Sequence, residues 1–103
     1  MVTVEQALLH LGYDYKDEMV TAEVTRELRT AQATLRGAVG EDVETLLPND
    51  PRADELVLTY LDDLHDNRGV SAKVSNATRL LVHSMEWQLR LELRRLREAG
   101  GKA

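Results

Sequence analysis

The sequence predicts an all-α protein, a small bundle of about four helices: a short N-terminal one, two long core helices and a long C-terminal one. Three observations predict it. Apolar residues recur at steps of three and four along most of the chain, the spacing of one helix face. Alternating apolar–polar runs are missing and β-branched residues are scattered, so no strand is expected. Residues that start and stop helices fall where the periodic runs begin and end.

The first helix is expected over "VEQALLHLG", opened by a capping box of Thr3 with Gln6 and ended by Gly12. Asp14 and Asp17 are candidate N-caps for the second, expected over about residues 18–39. Its core face carries Val20, Val24, Leu28, Ala31, Leu35, Ala38 and Val39, with Gly37 weakening the last turn and Gly40 ending it. "GEDVETLLPNDP" then serves as a connector whose Val43, Leu46 and Leu47 should tuck under the core as one helical turn. Asp50 followed by Pro51 opens the third long run, because proline suits the first helical position. Ala53, Leu56, Val57, Tyr60, Leu61 and Leu64 make its core stripe, and Leu58 points away from them. Gly69 should stop this helix and "GVSAKVSN" should form a loop, with Ser75 or Asn76 capping a final helix to about Glu98. "GGKA" is expected as a frayed tail.

Length and composition narrow the function classes. The 103 residues suit a single domain, 1–103. There is no cysteine, which excludes disulfides, thiolate metal sites and cysteine nucleophiles. The N-terminus lacks the basic and long apolar regions of a signal peptide, and no window approaches the ~20 apolar residues of a membrane span. A cytosolic product with no membrane partner is expected. The net charge of −5 conceals a split: residues 1–66 hold 15 acidic and 5 basic side chains, whereas residues 67–103 hold 3 and 8. Either solvated helix faces drifted in charge, or the two ends meet different neighbours, acid against base in a self-assembly.

The last helix is the most informative. Leu81, Val82, Met85, Leu89, Leu93 and Leu96 fall on one broad stripe, and Leu80, Trp87 and Leu91 on a second, with Ser84 between them. Arg79, His83, Arg90, Arg94 and Arg97 share a third face. A small monomer needs one apolar stripe per helix, so a second that carries a tryptophan needs another surface to cover it. Other helices of the same chain, or another subunit, are the two ways to supply it. A subunit contact through Leu58, Leu80, Trp87 and Leu91, with Arg90, Arg94 and Arg97 facing a neighbour's acids or an acidic rim, is the expectation carried forward.

The stretch "LDDLHDNRG", Leu61 to Gly69, concentrates acids, a histidine, an asparagine and an arginine at a helix end. Asp62, His65 and Asp66 lie at helical steps, within reach of one ion. A calcium loop needs a glutamate at its twelfth position, which counted from Asp62 is Lys73. Zinc needs three or four ligands, and His10 and His83 stand on other elements without ligand spacing. No metal, cofactor or catalytic residue is expected. An elbow serine, a glycine-rich phosphate loop and paired carboxylates flanking an apolar cleft are all missing from the pattern. Nucleic-acid binding is the alternative reading, a small DNA-binding or regulatory adaptor using the basic "RLELRRLREAGGK". Glu86, Glu92 and Glu98 interrupt that run, and a basic last turn also complements a helix C-terminus.

The same stretch carries a family resemblance. "VEQALLHLGYDYKDEMVTAEVTRELRTAQATL", a proline opening a helix that closes "YLDDLHDNRG", and a helical C-terminus resemble the small head-to-tail connector proteins of tailed bacteriophages. Phage proteins described as possible DNA-packaging factors are similar. Leu8 to Leu11, Asp14 to Glu18 and Val20 to Leu35 occupy the places of the family's first helix, acidic turn and long small-residue helix. His65, Asp66, Asn67 and Arg68 match its helix end of Tyr/His-x-Asn-Arg. The likeness covers roughly residues 3–69. Gly12 stands where a basic residue often follows, and Gly69 where an acid is common. The resemblance implies an all-α subunit of a ring of about a dozen copies, docked beneath the capsid portal in the virion neck after assembly in the host cytoplasm. Such a ring lengthens the DNA channel, stands close to packaged DNA without reading it, and offers a platform to a neck or tail-completion protein. It implies no catalysis. Asn67 and Arg68 would then fix a helix end, since Asn tolerates left-handed backbone and Arg brings several donors.

Overall fold

The computed structural model describes residues 1–66 and 76–101. They form five helices, α1 (Val4–His10), α2 (Glu18–Val39), α3 (Val43–Leu46), α4 (Pro51–Asp66) and α5 (Asn76–Gly101), and no strand among the described residues. The all-α expectation holds, with the connector's single turn counted as a helix of its own.

Local chemistry accounts for the boundaries. Thr3 closes a full capping box: its hydroxyl accepts from the Gln6 amide, and the Gln6 side chain accepts from the Thr3 amide. Gly12 turns the chain at φ +92°, a region that disfavours a Cβ. Of the two candidate caps for α2, Asp17 is the one used; its carboxylate accepts from the amides of Met19 and Val20. Asp50 accepts from the Arg52 amide and also holds the Arg52 guanidinium, which starts α4. Helix α5 runs to Gly101, three residues past the expected end at Glu98. The stop at Gly69, the following loop and the cap at Ser75 lie outside the described residues.

The core is the seam between α2 and α4, which pack on each other more extensively than any other pair. Glu27 early in α2 meets His65 late in α4, so the two run antiparallel. Val24, Leu28, Ala31 and Leu35 face Ala53, Leu56, Val57 and Leu61 across that seam, all buried. Leu89 and Leu93 of α5 close it from one side, and Ala7 of α1 and Val2 from another. Each wholly buried leucine contributes about 1.5–3 kcal/mol relative to exposure. Four sequence expectations need correction. Leu58 is half-buried against the core rather than pointing away from it. Leu46 and Leu64 are each 37% exposed, at the edge of the core rather than within it. Leu81, at the edge of the core stripe of α5, is also exposed.

Gly40 turns the chain from α2 into the connector at φ +146°, and a Cβ there would collide with the Arg97 guanidinium and crowd Leu93. Glycine is required here for its backbone angle, and any Cβ would in addition have to displace the end of the Arg97 side chain. The N-terminal ammonium donates to the Pro48 carbonyl at 2.8 Å, tying the start of the chain to the connector.

Candidate functional site

Two faces of α5 do different work. The inner one, with Val82, Met85, Leu89 and Leu93, packs on the bundle. It also carries Glu86, almost fully buried, whose carboxylate accepts from the Tyr60 hydroxyl at 2.5 Å. Burial, and then the neighbouring Glu86 charge, push the Tyr60 phenol well above its ordinary pKa, so it stays a donor.

The outer face presents Leu80, Ser84, Trp87 and Leu91 at steps of four, three and four, one continuous line on a helix. Leu80 is 70% exposed, Trp87 57% and Leu91 47%. Nothing among the described residues of the chain covers that line, so the sequence-predicted interface trio stands together in solvent. Leu58 does not join it, being held inside by the core contacts.

The predicted arginines are placed differently. Arg97 grips Asp42 of the connector with both its Nε and Nη2, and Arg90 donates from Nε to the Ala38 carbonyl at 2.7 Å. Both therefore clamp the lower half of α5 onto the end of α2 and the connector. Arg94 pairs with Glu98 one turn on, and Arg95 donates to Glu92 one turn back. The guanidinium beside Asp42 holds that carboxyl below its usual range, and Arg95 does the same to Glu92. Sequence reasoning missed the Arg97–Asp42 pair because the partners are 55 positions apart and nothing local links them.

The helix end singled out in the sequence becomes a junction of three elements. The imidazole of His65 lies 3.1 Å from a Glu27 carboxylate oxygen through Nδ1, and 3.0 Å from the Tyr13 hydroxyl through Nε2. A carboxylate only accepts, so Nδ1 is the donor to Glu27. The Tyr13 ring stands edge-on to the imidazole. Nearby, His10 of α1 meets Asp62 of α4 at 2.9 Å. Asp63 borders a small hollow with Arg79 and His83. Glu23, Glu27 and His65 each bring one donor atom within 4.8 Å of the others, a grouping the sequence hid because the glutamates precede His65 by most of two helices. Both glutamates already have partners in the fold, and the junction ties α2 and α4 to the segment that follows α1. Asn67 and Arg68, the other residues of the family motif, lie outside the described residues.

A cleft of about 610 Å³ opens between α1 and the start of α2. Val4, Leu8, Thr21 and Ala22 form its walls, and Glu5, Asp17 and Glu18 make its edge acidic, with Lys16 the one cation among them. A shallower hollow continues around α1 past Leu9, Tyr13 and Tyr15. No pattern in the sequence announced it, because it forms where two helices diverge.

No family model, curated protein or solved structure matches the chain. Among the described residues no helix is long and apolar enough to cross a membrane.

Proposed function

We propose that this chain is a structural subunit of an oligomeric ring that docks below the portal of a tailed bacteriophage, extends the DNA channel and joins head to tail. The observation that carries the self-association is the uncovered line of Leu80, Trp87 and Leu91 on α5. An exposed tryptophan set between two exposed leucines is the composition of an interface centre rather than of a solvated face. The place of the ring, beneath the portal and above a neck or tail-completion protein, rests on the sequence resemblance. The role is architectural, with no catalytic residue or cofactor.

The arrangement of the arginines disfavours the DNA-binding alternative. Phosphate binding draws on clustered free cations, whereas Arg90 and Arg97 are engaged with the end of α2 and the connector, which leaves the basic face of α5 two cations short. The 15 acidic side chains of residues 1–66 suit a channel wall on which DNA slides without sticking.

Light scattering and negative-stain imaging of the purified chain test the reading. Discrete rings, or soluble oligomers that become rings on purified portal, are expected. A chain that stays monomeric at the highest concentration reached, and does not bind portal, overturns it. A salt-dependent shift of a short duplex at physiological salt would favour the DNA-binding adaptor instead.

A further inference from the structure

We propose that the groove between α1 and the start of α2 is the receptor for the α5 line of a second copy of this chain, so that subunits join head to tail through two different surfaces. The inference rests on the ring reading and adds to it the identity of the receiving face.

Three observations carry it. First, the donor and receiver are separate: α1 and α5 each lean on the α2–α4 pair, and the groove and the line lie on different elements. A contact between unlike patches leaves each subunit with one free donor and one free receiver, which is what a closed ring requires. Second, both surfaces offer apolar side chains to solvent, the groove through part-buried Val4 and Leu8 and exposed Ala22. The groove walls are Val4, Leu8 and Ala22, and the adjoining Leu9 is 68% exposed, matching the exposure of Leu80 and Trp87.

Third, the charges are complementary. On the helix surface Arg94 and Arg95 bracket the line on either side of Leu91, both largely in solvent. Their pairs with Glu98 and Glu92 are exposed contacts within one helix, which are weak and readily exchanged. The groove presents Glu5 and Glu18 together with Asp17, the cap of α2, and Asp14 beside them, against the single cation Lys16, so its edge keeps a net negative charge. Seating Trp87 in the groove thus brings two cations to an acidic edge.

Two variants and their mixture test this. Ala22 lines the groove, is exposed and lies inside α2. Ala22→Glu keeps a good helix former and gains an i,i+4 partner in Arg26, while filling the groove with charge. Trp87→Glu removes the donor from an exposed position. Each alone should associate at least about thirtyfold more weakly than the wild type, the loss expected at a hot spot. Circular dichroism should be unchanged for both. Mixed at equal concentration, the intact line of Ala22→Glu meets the intact groove of Trp87→Glu, so a one-to-one complex should form that does not grow further. Leu9→Ser, which trims the rim without adding charge, should act in the same direction as Ala22→Glu. If Ala22→Glu and Leu9→Ser assemble as the wild type does, or the mixture stays monomeric, the groove is not the receiver, although the ring reading stands. A wild-type chain that never self-associates, with or without portal, overturns both.

Discussion

Arg97, near the end of α5, holds Asp42 of the connector through two guanidinium nitrogens. This pair joins the last helix to the turn that follows α2, and its charge sets a pH dependence. The folded-state pKa of Asp42 lies below its ordinary value, chiefly because of the hydrogen bond from Arg97. Asp50 beside Arg52, and Glu92 beside Arg95, are lowered for the same reason. A carboxyl that is more acidic when folded contributes stability above its unfolded pKa of about 4, and that contribution is lost as pH falls through the folded value. Unfolding free energy should therefore decline on acidification below about pH 4, and Asp42→Asn should flatten part of that decline. Urea denaturation across pH 2–7 reads both. An unchanged slope in the variant would show that the pair is too well solvated to matter.

Gly40 is the second constraint at the same corner. Its backbone angle is one that side chains rarely adopt, and the space for a Cβ is taken by the Arg97 guanidinium. Gly40→Ala should therefore destabilise the fold by about 1–3 kcal/mol, against the gain that an Ala gives where the backbone is relaxed. Gly37, in α2 with open space around it, supplies the control. Gly37→Ala should stabilise by up to about 1 kcal/mol through helix propensity. Thermal unfolding of the pair should move in opposite directions.

The His65 ring joins α4 to α2 and to the segment between α1 and α2. Removing it takes one hydrogen-bond partner from the buried Glu27 carboxylate, which keeps another in the fold, and one from the Tyr13 hydroxyl. His65→Ala should destabilise by about 0.5–1.5 kcal/mol, the range for a lost internal hydrogen bond. The loss should be smaller in Tyr13→Phe, which deletes one hydroxyl and keeps the ring packing. A double-mutant cycle over Tyr13 and His65 measures the coupling directly, and a coupling near zero would reduce the junction to proximity.

Much of the fold was legible because its determinants are local. The Thr3 capping box, the Asp17 cap, the span of α2 and the Asp50–Pro51 start all depend on residues within a turn of each other. The exposed line on α5 was legible for the same reason, since helical periodicity is enough to separate Leu80, Trp87 and Leu91 from Leu89 and Leu93. What periodicity does not determine is which neighbour reaches a given side chain. Leu58 looked outward on its own helix, yet it packs, partly buried, against the core. Arg97 looked available to another subunit, yet the connector brings Asp42 to it. The groove was illegible because it is defined by the divergence of α1 from α2, a tertiary property.

The sharpest contrast within one helix is between Leu89 and Trp87, two positions apart, the first wholly buried and the second mostly in solvent. Leu89→Ala should lower stability by about 2–5 kcal/mol, because the removed methyl groups leave a cavity under α5. Trp87→Ala should change the stability of the isolated chain by no more than about 0.5 kcal/mol, as at other surface positions. Its effect should appear in association, weakened about tenfold or more. Urea denaturation at low protein concentration isolates the first quantity, and light scattering over a concentration series isolates the second. If Trp87→Ala instead abolishes cooperative unfolding at low concentration, the indole belongs to the chain's own core and the argument for self-association from α5 is lost. If stability holds and association also holds, the line on α5 is not where copies meet.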